Sequence, residues 1–291
     1  MRIASGFSIK SHRPASRGLG CLGRSLLATV MLPLIDAGAG AAEGPIGAAG
    51  DWIPIFSENF NEPTLSDTRW TTCYWWDDDG CTNLGNNELQ WYVPQNVTVE
   101  NGHLVLTARP GEVTGFKGRR FPYTSGMVTS GRMYEERALR DRFSFTYGFV
   151  EVRARPPVGQ GLWAAIWMLP SDHTSRPEID IMEVLGHRPD VLEMHYHFGD
   201  EDSAGSEAEI EGLSGQWQTY GVDWGPEAII WYLNGIEQWR YEDAASISDV
   251  PMYLLLNLAV GGDWPGAPDS TTKFPARFLI DSVSVWQRGR Q

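Results

Sequence analysis

The chain has 291 residues, of which 21% are charged and 12% aromatic, with thirteen tryptophans and a formal net charge of −14. This length can bury one large core, and the acidic balance excludes nucleic acid and other polyanions, whose charge it would repel. Neutral or weakly charged ligands are the expected partners.

In chain order, residues 1–42 read as a signal peptide. Arg2, Lys10, Arg13, Arg17 and Arg24 form a basic lead, residues 26–35 an apolar stretch, and Ala37 to Ala42 a run of small residues suited to cleavage. Cys21 lies before the apolar stretch, which argues against a lipid anchor. We therefore expect a secreted protein, extracellular or periplasmic. The apolar stretch is too short for a membrane span, and no later segment reaches the roughly 18 apolar residues required. Without this leader the charge deepens to −18, from 18 basic and 36 acidic side chains. Residues 43–50 read as a short linker and 51–291 as one domain, expected to be monomeric. Cys73 and Cys81, eight apart in a loop rich in Trp, Asp and Gly, can pair in an oxidising exterior or remain free thiols.

Helical periodicity with caps is scarce. Short apolar runs bounded by turn residues recur instead, at 97–99, 104–108, 143–154, 164–169, 229–233, 253–260 and 278–286. The Asn234-Gly235 pair between two such runs is a strong hairpin signal. Together these features predict an all-β antiparallel sandwich.

One segment reads as chemistry. Glu178-Ile179-Asp180-Ile181-Met182-Glu183 puts three carboxylates into an otherwise apolar strand. Glu178 and Asp180 share a face by alternation. Glu183 is five residues from Glu178, an odd offset that would aim it into the core, where an unpaired carboxylate is costly. A β-bulge at Ile181-Met182, with Met182 as the extra residue, would return it to the face of the other two acids. Clustered carboxylates raise one another's pKa, which lets one be ionised while another stays protonated. A solvated acidic edge and a cation site are the bland alternatives. Tryptophans near polar loops, Trp75, Trp76, Trp91, Trp163, Trp167 and Trp264, suit the apolar faces of sugar rings, and Asn86-Asn87-Glu88 suits their hydroxyls.

These segments resemble glycoside hydrolase family 16, especially its bacterial laminarinase-like members. The likeness rests on the acid hexapeptide and, in order, on Gly85 to Gln90, Phe143 to Gly148, Gly159 to Trp163, and Leu256 to Gly266. It implies a β-jelly-roll sandwich of two curved antiparallel sheets with a concave glycan-binding cleft. It also implies endo-hydrolysis of β-glucan with retention, through Glu178 as nucleophile, Glu183 as acid/base and Asp180 as helper. The bulged spacing favours β-1,3 linkages, with β-1,3-1,4 close behind. Asn87, Trp163, Trp167 and Trp264 fall at implied substrate contacts, with His195 or His197 facing the cleft. No cofactor is implied for catalysis, but a structural Ca²⁺ on the convex side would be held by Glu58, the Gly102 carbonyl and Asp281. Departures from the family pattern at Pro177, Val184-Leu185, Met127 and residues 71–84, with the Asp77-Asp78-Asp79 run, touch specificity. Depolymerisation of a bacterial mixed-linkage exopolysaccharide such as succinoglycan, or a silent glucan-binding lectin, are the competing readings. Sulfated galactans are disfavoured by charge.

Overall fold

The computed structural model describes residues 44–76, 80–133, 140–199 and 202–289. The expected leader, residues 1–42, and the acidic run 77–79 lie outside them. In chain order the strands are β1 (Trp52–Glu58), β2 (Gln90–Tyr92), β3 (Val97–Glu100), β4 (His103–Thr114), β5 (Arg120–Ser125), β6 (Met127–Thr129), β7 (Gly148–Arg155) and β8 (Leu162–Pro170), followed by β9 (Glu178–Leu185), β10 (Val191–His197), β11 (Ser203–Glu209), β12 (Gln218–Trp224), β13 (Ile229–Leu233), β14 (Ile236–Tyr241), β15 (Met252–Val260) and β16 (Ala276–Arg288). A ten-stranded sheet runs β14-β13-β12-β7-β16-β4-β5-β2, with β1 on β16 and β3 on β4, and a six-stranded sheet runs β11-β10-β9-β8-β15-β6. All pairings between these strands are antiparallel except β2 with β5. This is the antiparallel sandwich the alternation predicts, and the β-jelly-roll the family resemblance implies.

Alternation explains why the sheets stack. In β8, Leu162, Ala164, Ile166 and Met168 face inward, as do Leu254, Leu256 and Leu258 in β15. They meet Val150, Val152, Val222, Trp231 and Phe278 from the other sheet. The opposite parity of the six-stranded sheet, including Ala165, Trp167, Tyr253 and Leu255, forms a second cluster under Tyr74 and Tyr92. Among the described residues, no helix is long and apolar enough to cross a membrane.

Residues 44–50, read as a linker, lie against the domain. The Ile46 amide donates to Glu151 and the Trp52 indole to the Ala48 carbonyl. The hairpin between β13 and β14 forms as expected, with Asn234 at φ 50° and Gly235 at φ 77°. A Cβ on Gly235 would lie 2.5 Å from Ile46 Cγ2. Gly235→Val should therefore lower Tm by roughly 3–8 °C, through left-handed strain plus that clash, and leave kcat unchanged. Calorimetry and a kinetic assay on the same preparation check both halves.

Candidate active site

The acid hexapeptide lies in β9, between β8 and β10. Against β8, Met182 pairs with Ile166 and Asp180 with Trp167, so Ile181 is the unmatched residue of the bulge. Against β10, Glu183 pairs with Glu193 and Asp180 with His195, which spans the same irregularity. The bulge is where parity required it, although the extra residue against β8 is Ile181 rather than Met182. Ile181 and Met182 both enter the core. Glu178, Asp180 and Glu183 all line one cleft of about 630 Å³.

A bulge disrupts the ladder and leaves backbone groups seeking other partners. Here the indole N–H of Trp231, from the opposite sheet, donates to the Asp180 carbonyl at 2.8 Å. Trp231 is fully buried and stacks on Trp239 at 4.3 Å.

Each acid has its own neighbours. Glu178 Oε2 accepts from Arg176 at 3.0 Å, and His197 Nε2 is 3.8 Å from its other oxygen. Asp180 Oδ2 is buried without a hydrogen bond, with His197 Nε2 at 3.3 Å. Glu183 Oε1 accepts from the Trp163 indole at 3.1 Å, and Oε2 contacts His195 Nδ1 at 2.9 Å. A carboxylate oxygen of Asp180 lies within 4.8 Å of one of Glu178 on one side and one of Glu183 on the other. Burial pushes Glu183 up to about 8, reinforced by the charge on Glu178. Burial also pushes Glu178 up to about 8 and raises Asp180 well above its ordinary value, against the opposing pull of Arg176 and His195 on both and of His197 on Glu178. Both glutamates thus stand at about 8, and Glu178 has more cationic groups beside it than Glu183. Burial holds the His197 pKa down.

Trp163, Trp167, Trp264, His195 and His197 line the cleft as expected. Trp91 does not. Gln90 and Tyr92 in β2 turn toward the site, where Gln90 donates to Glu88 and the Tyr92 hydroxyl accepts from Asn257. Trp91, of opposite parity, turns away onto Phe121. Asn87 is also absent from the lining. It takes a left-handed φ of 55° and donates to Asp263, which ties its turn to the loop of Trp264. Asn83, Gly85, Asn86 and Glu88 line the cleft instead, and burial pushes Glu88 up to about 7. Cys73 and Cys81 form a disulfide with Cα atoms 5.1 Å apart. The residue their loop sends into the cleft is Tyr74, on which Trp76 stacks at 3.9 Å. Arg176 and Asn257 were also unforeseen. Asn257 is the lone polar residue in the apolar run of β15, which was a usable signal.

The expected calcium ligands do not fit that ion as the side chains stand. Asp281 meets His103 Nδ1 at 3.1 Å and the Arg153 guanidinium at 3.1 Å, so its oxygens already face a cation and a ring nitrogen. Glu58 Oε1 accepts the amides of Asn59 and Phe60.

The sequence pattern of the glycosyl hydrolases family 16 matches residues 85–281. The chain belongs to this family. It is 35% identical over 248 residues to the endo-1,3-1,4-beta-glycanase EglC of Rhizobium meliloti, covering 79% of this chain and 51% of that protein. It therefore spans about half the length of that relative. A beta-glucanase of Rhodothermus marinus is 31% identical, with 82% of this chain and 86% of that one covered. Among solved structures, the catalytic domain of an endo-1,3-beta-glucanase (laminarinase) from Thermotoga petrophila superposes with a TM-score of 0.73 at 31% identity, over 83% of this chain and all of that one.

Trp231→Phe keeps an aromatic side chain, though a smaller one, and removes the N–H that donates to the Asp180 carbonyl, a loss of about 1–3 kcal/mol if the carbonyl finds no other donor. It should reduce kcat more than it alters KM, and a variant with wild-type kcat would show that the bulge holds itself. A second test uses the sign of the Glu183 shift. The folded carboxyl keeps its proton up to about 8 against an ordinary value of 4.5, so stability is lost as pH rises through that window. Glu183→Gln cannot ionise. It should melt a few degrees above wild type near pH 9, with the gap closing near about pH 4.

Proposed function

We propose that this family 16 chain is a secreted, endo-acting, retaining hydrolase of β-1,3 or mixed β-1,3-1,4 glucan. The observation that carries the reading is the row Glu178, Asp180, Glu183 in one aromatic-walled cleft, with a different set of partners at each end. Two carboxyl groups about 5 Å apart give retention through a covalent intermediate, and acids separated by one intervening carboxylate suit that spacing. The names of the relatives support the substrate class, and the leader supports export.

In the first step the Glu178 carboxylate attacks the anomeric carbon. The glycosidic C–O bond breaks, and its oxygen takes the proton from Glu183, leaving a glycosyl ester on Glu178. In the second step water attacks that carbon, gives its proton to Glu183, and the ester bond breaks to restore Glu178. Asp180, whose pKa is raised well above the ordinary value, holds a proton toward Glu178 and steadies its charge as the ester forms and breaks. Trp163 and His195 orient the acid, while Trp163, Trp167, Trp264 and Tyr74 offer apolar faces to sugar rings. A silent lectin would need none of this asymmetry.

Arg176 favours a second reading. It is the Lys or Arg among the described lining residues, and it brings a fixed positive charge to a carboxylate-rich cleft. That charge, although paired with Glu178, would suit a weakly acidic mixed-linkage bacterial exopolysaccharide, within the weakly charged class the chain's own charge admits.

Reducing-sugar release should be measured on laminarin, barley β-glucan and succinoglycan, with NMR of the first-formed anomer. Activity on the first two with a β-anomer is expected. Activity on succinoglycan alone would replace the glucan reading, and a first-formed α-anomer would overturn retention. Glu178→Gln should lose roughly a thousandfold or more in kcat. The wild-type rate should fall as pH rises past about 8, where Glu183 gives up its proton.

A further inference from the structure

The partner of His195 on the next strand is a glycine. In the pairing of β10 with β11, Gly205 stands opposite His195, with Ser203 opposite His197 and Glu207 opposite Glu193. Directly opposed residues share a face and compete for the same space. The imidazole has taken that space. A Cβ on Gly205 would lie 2.3 Å from His195 Cδ2 and 3.0 Å from Nε2, with the Met194 carbonyl at 3.1 Å.

Two ordinary reasons for a strand glycine do not apply. Gly205 is outside the positive-φ glycines, so its backbone does not require one. The β10–β11 register is also continuous from Val191 to His197, so no bulge sits there. What requires the missing side chain is the ring. His195 is held on its other sides by the Trp264 edge and the His197 ring, each with centroids 5.8 Å away. A side chain at 205 would tilt it off Glu183, whose Oε2 would lose its 2.9 Å contact and leave Trp163 as the remaining hydrogen-bond partner.

We propose that Gly205, on the edge strand of the six-stranded sheet, is a positioning residue for the acid/base: its bare backbone is the floor that lets His195 lie flat and reach Glu183. This rests on the reading of Glu183 as the acid/base. Gly205 is not itself among the residues that line the cleft and acts on the site through the His195 ring.

The test compares Gly205→Ala, His195→Ala and the double variant in the whole protein, by Tm, by kcat and KM on laminarin, and by the pH profile. Gly205→Ala should lower kcat by roughly tenfold with KM within twofold, and should displace the alkaline limb as His195→Ala does. The double variant should match His195→Ala alone in Tm, kcat and profile, because removing the ring removes the clash. Additive losses in the double variant, or a wild-type profile for Gly205→Ala, would overturn the proposal. If Gly205→Ala alone does not fold, the double variant must recover folded protein, and its failure to do so counts against the proposal equally. The Tm arm reads the contact whether or not Glu183 is the acid/base, so failure of that assignment, seen as full activity of Glu183→Gln, is distinguishable from failure of this one.

Discussion

The site depends on one extra residue in β9. An acid five positions from another cannot share its face on a regular strand, so Glu183 reaches the cleft only because Ile181 and Met182 both turn inward. Both residues are apolar, so the core accepts the bulge. Its exposed carbonyl, that of Asp180, is met by an indole from the far sheet. The sandwich therefore does more than support the cleft. Its opposite layer supplies the hydrogen bond that closes the irregular backbone beneath the acids, so packing of Trp231 and placement of the carboxylates are one problem.

Burial then does the electrostatic work. The acids sit among Trp163, Trp167 and Tyr74, where burial leaves a carboxylate poorly solvated. Each carboxyl is pushed upward for that reason first, and by its neighbours second. Such a row is a cost to the folded state above the ordinary carboxylate range, offset by the large apolar interface between the sheets. Stability and reactivity are thus set against each other at the same residues, as strained or charged sites commonly are.

Period-two alternation made the sandwich, the hairpin and the bulge legible, because each follows from which face a residue must take. Alternation applied locally would also have excluded Trp91, since Gln90 and Tyr92 on either side of it face the site. Asn87 was legible only as a polar residue in a turn. Its left-handed backbone sends the side chain to Asp263, 176 positions away, and no local pattern carries that. Tyr74 and Arg176 reach the cleft from loops, where neither period holds. The family resemblance implies calcium at three positions, but matching positions do not reveal that Arg153 and His103 take up Asp281.

The division of roles within the row comes from what surrounds the acids rather than from the acids themselves. Two glutamates on one strand, both shifted upward by burial, would be interchangeable if isolated. Glu178 lies beside a guanidinium, which gives its anion counter-charge nearby, and beside the His197 imidazole. Glu183 lies beside an indole N–H and a ring nitrogen, with Glu193 opposite it adding negative charge. The first setting offers an anion more counter-charge than the second, and a difference in surroundings of this kind is what two-carboxylate hydrolysis draws on. Arg176 and Pro177 arrive from the loop before β9, whereas His195 comes from the middle of β10, resting on β11. One end of the row is therefore tuned by a loop together with His197 at the end of β10, and the other by the sheet, so changes in the loop can alter the surroundings of Glu178 while leaving Glu183 in place.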